Sequence, residues 1–268
     1  MPLKDLITGI RLTWQNGIHY LPLLKNLIGR ELKKRYRGSV LGYAWCVLNP
    51  LLIMLIMTFV FSQMFHQSIQ NYPVYLFIGR MFYSLITGGA GSILRSITGN
   101  GALMRKTRVP YYIFPLSSFC SSAVDLLFTL IAFVVVLVVT QTPIGPQVLF
   151  FPVIVLEALL MTFGIGLLLA VANVFVRDVS YLWGVFCTAW MYLSALFYPV
   201  TSLPETLRYL VEHFNPLYIV IAQARGIFLD MVLPEAWTLL AGFGFSAVMC
   251  VLGLLAYWRA RDSLILYV

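Results

Sequence analysis

The sequence predicts an all-α integral membrane protein with six transmembrane helices, and three observations lead there. Composition is the first. Hydrophobic residues make up 60% of the chain and charged residues 10%, with a mean hydropathy of +0.88, far from soluble domains. The second is a charge-free stretch over about 47–65, VLNPLLIMLIMTFVFSQMF, which has the roughly 20 residues that a helix needs to cross the hydrocarbon core. The third is the basic group just before it, Arg30, Lys33, Lys34, Arg35 and Arg37. Lys and Arg flanking a span are retained on the cytoplasmic side.

The 268 residues read as one domain. Its first element is a basic amphipathic helix over 20–37, lying flat at the inner interface. Leu21, Leu24, Ile28, Leu32 and Tyr36 fall on one stripe, and Asn26, Arg30, Lys33 and Arg37 on the opposite one. Pro22 stands near its start and Gly38 closes it. After the first span, further spans are expected at about 73–94, 113–139, 149–175, 182–200 and 236–257. Arg80 and the Gly88–Gly89 pair interrupt the second of these.

Loop charges fix the orientation. Segments on the cytoplasmic side of this topology hold 15 of the 18 Lys and Arg, so both termini face the cytoplasm. The net charge of +8 is thus a topology signal, reinforced by anionic lipid headgroups, and not a nucleic-acid footprint. The cytoplasmic loop at 95–110 combines an Asn100–Gly101 turn signal with Leu103 and Met104 beside Arg105, Lys106 and Arg108. Apolar residues among charges mark a docking surface, although a solvated positive-inside loop explains the same pattern. The outer segment at 201–235 opens on Pro204 and is broken by Asn215–Pro216. The apolar run that follows, from 217 to 229, is too short to cross, which suggests re-entrant helices dipping in from outside.

Three ionisable residues, Arg80, Asp125 and Glu157, fall inside spans. Arg80 and Glu157 lie about 10 Å and about 12 Å from the outer face at 1.5 Å per residue. Asp125 lies about 12 Å from the same face of a 30 Å core. One shared depth makes them either a charge-paired packing cluster or part of a pore lining. Chemistry of other kinds is not written in the sequence. It lacks GxxxxGK[ST], HExxH and GxSxG motifs. Its four cysteines stand singly in or beside apolar segments, so neither a disulfide nor a metal is expected. No catalytic residue is proposed, and no cleavable signal peptide is expected.

The order of these segments resembles the permease subunits of polysaccharide ABC exporters, the type-2 permeases that export O-antigen, capsule and teichoic acid polymers. The likeness is carried by the amphipathic helix, by Arg35 to Trp45 and by Asn49–Pro50. It continues through Asn100 to Pro110, Pro115–Leu116–Ser117, Asp125 and Asn173 to Asp178. Tyr198–Pro199, Pro204, Asn215–Pro216–Leu217 and Arg225 complete it. Two positions depart from the pattern. Ser194–Ala195 replaces a Ser-Pro or Thr-Pro pair common in the fifth span, and Arg80 stands in a usually apolar stretch.

The resemblance implies a multi-pass protein of the bacterial cytoplasmic (inner) membrane. It implies a homodimer around a channel, two copies of a separate ATPase that alone holds ATP and Mg, and a lipid-linked polymer as substrate. This chain would carry no cofactor. Asn100, Leu103, Met104, Arg105, Lys106 and Arg108, with Arg30, Lys33 and Arg37, would then couple to the ATPase. Aromatic faces suit sugar rings, which makes Tyr43, Trp45, Phe59, Tyr83, Trp190 and Tyr198 candidates to line the channel. Interfacial or core packing accounts for the same aromatics. A small-molecule or lipid exporter with the same fold is the alternative.

Overall fold

The computed structural model describes residues 20–36, 38–65, 69, 71–106, 109–261 and 263–264. Among them every regular element is helical. The basic helix α1 runs Leu21–Tyr36, and a 3-10 turn at Gly42–Ala44 leads into α2, Trp45–Phe65. Helix α3, Tyr72–Tyr83, passes through a π turn at Ser84–Gly88 into α4, Gly89–Leu94. A short helix α5, Gly101–Lys106, sits in the following loop. Then come α6 (Ile113–Val139), α7 (Phe151–Phe175), α8 (Val179–Leu193), α9 (Glu205–Phe214), α10 (Pro216–Arg225) and α11 (Ala236–Ala260).

Four helices are long and apolar enough to span a bilayer: 42–62, 113–139, 146–175 and 236–260. The chain is an integral, multi-pass membrane protein. The stretch 72–94 is helical throughout but for its π turn, and α8 is only 15 residues long. The fifth expected span, 182–200, is therefore corrected. It begins earlier and stops at Leu193, where Ser194 and Ala195 leave the helix, Ala195 at φ +47°. No proline is needed for the break.

Helix α7 is the central post. Of its most apolar stretch 56% is buried, against 11% for α2 and 17% for α11. Two glycines set its neighbours close, as small residues do between membrane helices. A Cβ on Gly164 would strike the main chain of α11, lying 2.8 Å from the Cα of Cys250. One on Gly166 would meet Ile93 of α4 at 2.7 Å. Across the same seam a Cβ on Gly253 would lie 2.7 Å from the Gly164 carbonyl oxygen. The main core joins α3, α6, α7 and α10 through Phe77, Phe82, Phe133, Met161 and Val220.

A second core lies at the other end and includes Leu27 of α1, Ile93, Ile97, Met104, Phe114 and Val174. The buried face of α1 is thus displaced from the expected stripe. Leu27 is 4% exposed while Leu21 is 48% exposed, because α1 lies against α6, where the Ser118 hydroxyl donates to Glu31 at 2.9 Å.

Candidate functional site

A cavity of about 430 Å³ opens between α2, the α3–π–α4 helix and α6. Its wall on the second helix carries Arg80, Ser84, Ser92 and Arg95; α6 contributes Ser122, Asp125 and Thr129, and α2 contributes Trp45 and Asn49. Polar side chains thus gather along one cavity between otherwise apolar helices. The π turn aims this wall, and side chains take up the backbone groups that it frees. Thr87 Oγ1 donates to Tyr83 O (2.6 Å), Ser92 Oγ to Gly88 O (3.0 Å) and Trp183 Nε1 to Thr87 O (3.2 Å). In lipid such groups cost several kcal/mol each when left without partners.

The three intramembrane charges do not form one cluster. Arg80 and Asp125 line the cavity, but Glu157 does not. Glu157 is fully buried, its carboxylate against Gly242 of α11 and beside Gln223, and its main-chain oxygen accepts from the Ser246 hydroxyl at 3.2 Å. Equal depth was a poor guide because Glu157 points from α7 toward α11, away from α3. Among the described residues the guanidinium of Arg80 sits over the Tyr83 ring, 5.6 Å from its centroid. Arg208 and Glu212 form an i,i+4 ion pair on α9.

The loop at 95–110 is tied to both its flanks. Arg30 donates to Asn100 Oδ1 at 2.5 Å, and Asn100 Nδ2 donates to Ser96 O at 2.7 Å. From α7, Asn173 reaches Leu94 O and Thr98 Oγ1 at 3.4 and 3.3 Å. Of the two apolar docking candidates, Met104 is the more deeply buried. It is 6% exposed and belongs to the second core, because the short helix α5 turns it inward. Leu103 is partly buried against the same core. Lys33 stays exposed and lines a basic cleft with Lys25, Arg30, Lys34 and Tyr43. Arg37 and Arg108 lie outside the described residues, as do the side chains of Arg105 and Lys106.

Opposite that end, a clasp holds the break after α8. The guanidinium of Arg225, 6% exposed, donates to Ala195 O (3.1 Å), Leu196 O (3.0 Å) and Tyr75 O (3.3 Å). It lies 3.4 Å from the Tyr75 ring centroid. Tyr72 and Tyr75 donate to Phe197 O and Tyr198 O, both at 2.8 Å. Asn215 caps α10 by accepting from Leu217 N and Tyr218 N, and it donates to Leu193 O and Ser194 Oγ. This clasp was not foreseen. Its signals in the sequence are Asn215–Pro216, which opens α10, and the arginine that ends it.

The aromatic candidates separate accordingly. Trp45 lines the cavity. Tyr83 does not line it; it packs beside Arg80 and donates to Cys187 O at 3.0 Å. Trp190 is buried, donates to Asn215 Oδ1 at 2.8 Å and does not line this cavity. Tyr198 donates to Tyr192 O within the clasp. Tyr43 belongs to the basic cleft, and Phe59, 84% exposed, points away from the helix bundle.

The family model for ABC-2 type transporters matches residues 22–229, from α1 through the cavity and both helices of the outer clasp. The chain belongs to the ABC-2 type transporter family. Its similarity to known members extends over most of their length. It is 33% identical over 235 residues to the O-antigen export system permease protein RfbA of Myxococcus xanthus, covering 86% of this chain and 89% of that protein. Identity is 29% over 223 residues to the protein of the same name from Klebsiella pneumoniae, covering 83% and 85%. The polysialic acid transport protein KpsM of Escherichia coli is 22% identical over 245 residues, covering 88% and 92%.

Proposed function

We propose that this chain is the transmembrane subunit of an ATP-driven exporter that moves a lipid-linked polysaccharide outward across the bacterial cytoplasmic membrane. The observation that carries this reading is the match to O-antigen permeases along nearly their whole length. The geometry supports it, because a hydroxyl-rich chain needs hydrogen-bonding groups inside the bilayer, and the cavity supplies them.

In this reading six segments cross the membrane and both termini are cytoplasmic. The interrupted helix over 72–94 and the 15-residue α8 join the four long spans. Helices α9 and α10 form the outer re-entrant region, and the buried α10 is wedged among α3, α7 and α11. Two copies of the chain enclose the path. Two copies of a separate ATPase dock below, near the 95–110 loop, and hold ATP and Mg. Hydrolysis strain reaches the membrane through Asn100, Arg30 and Asn173, which tie the loop to α1, α4 and α7.

The test is co-expression with the cognate ABC ATPase of the same host, followed by purification and mass measurement. A complex of two and two whose ATP hydrolysis requires the ATPase is the expected result. Hydrolysis by this chain alone would overturn the reading.

A further inference from the structure

The wall of the cavity on the α3–π–α4 helix has an arginine at each end. Arg80 and Arg95 are fifteen residues apart, about 22 Å along a helix, so together they span most of a hydrocarbon core. Between them Ser84 and Gly88 are exposed to the same cavity. The hydroxyls nearby are already turned to the helices. Ser92 donates to Gly88 O and Ser122 to Ser118 O, each at 3.0 Å, and Thr129 donates to Asp125 O at 2.9 Å. Their oxygens therefore face the cavity as acceptors, suited to hydroxyl donors.

We infer that this wall is a two-station anion lane, in which Arg95 and then Arg80 hold an oxyanion whose neighbouring hydroxyls bond the acceptors between them. A guanidinium at membrane depth is costly unless it finds a partner, and Arg80 sits over the aromatic face of Tyr83. Its planar fork matches phosphate and carboxylate oxygens. A group that combines an oxyanion with hydroxyls is a sugar phosphate or an acidic sugar. On the exporter reading, on which this inference rests, the first is the diphosphate joining glycan to lipid and the second is a residue of the polymer itself.

The full chain in nanodiscs, without any ATPase, is titrated calorimetrically with four probes. Geranyl diphosphate is compared with geraniol, and trigalacturonate with maltotriose. At least one anion should bind more tightly than its neutral counterpart, and which one identifies the source of the oxyanion. Arg80→Gln should weaken that binding about tenfold, the loss of one charge-assisted contact, while Arg80→Lys stays within a few-fold. Ser84→Glu, at an exposed position one turn away, should abolish it by repulsion and does not depend on how Arg80 variants fold. Equal binding of anions and neutral probes, or native affinity in Arg80→Gln or Ser84→Glu, would overturn the lane. Because no nucleotide is involved, that failure is distinct from failure of the ATPase complex to form.

Discussion

Replacing Arg225 by Met should lower the stability of the protein more than any other single loss of charge outside the cavity. The guanidinium is buried and donates three hydrogen bonds to main-chain oxygens of α3 and of the break after α8. Of those oxygens, Tyr75 O sits within a helix, and Ala195 O also accepts from the Tyr75 hydroxyl at 3.3 Å. Leu196 O is the one left bare. A hydrogen bond to a charged group contributes about 1.5–3 kcal/mol, and a buried acceptor left bare costs about 1–3 kcal/mol. The cation–π contact adds about 2 kcal/mol when desolvated. These contributions overlap, and a net loss of about 3–5 kcal/mol is the expected scale for breaking such a buried network. At about 2–4 °C per kcal/mol for a chain of this size, the midpoint should fall by at least about 6 °C. Thermal unfolding of the purified protein, followed by thiol exposure at the four cysteines, measures it. Arg208→Met is the control, since that exposed i,i+4 pair with Glu212 is worth under about 1 kcal/mol. A midpoint for Arg225→Met within about 2 °C of the native protein would refute the clasp.

Two other outcomes follow from packing. Gly164→Val should force α11 from α7 and cost at least the roughly 1–3 kcal/mol of an overpacked core, whereas Gly244→Ala, where a Cβ meets nothing within 4 Å, should be neutral or stabilising by about 1 kcal/mol; the same thermal assay decides both. Met104→Ser should lower the yield of folded protein, since emptying a buried methionine site costs about 2–5 kcal/mol; normal yield together with lost export would restore Met104 as a docking residue.

Much of the architecture was legible because hydropathy and loop charge report directly on lipid. The third span was expected at 113–139, and the helix there runs Ile113–Val139. Ends set by long-range contacts were not legible. The fifth span stops at Leu193 because Asn215 and Arg225, more than 20 residues downstream, collect the carbonyls beyond it. Nothing local to Ser194–Ala195 announces that. For the charged residues, sequence supplied depth but not direction. Arg80 and Asp125 meet at one cavity because their helices face each other, whereas Glu157 turns to Gly242. The burial of Met104 was not legible for a related reason. A six-residue helix gives too short a pattern to show which side faces the core.

The central claim is that this ABC-2 type transporter carries a glycan outward. Its most direct test is deletion of the gene in the native host, with quantitation of surface polysaccharide and of lipid-linked glycan inside the cell. Loss of the surface polymer with accumulation of lipid-linked glycan on the cytoplasmic side, both reversed by the native gene, is the predicted result. Unchanged surface polysaccharide in the deletion strain would contradict it.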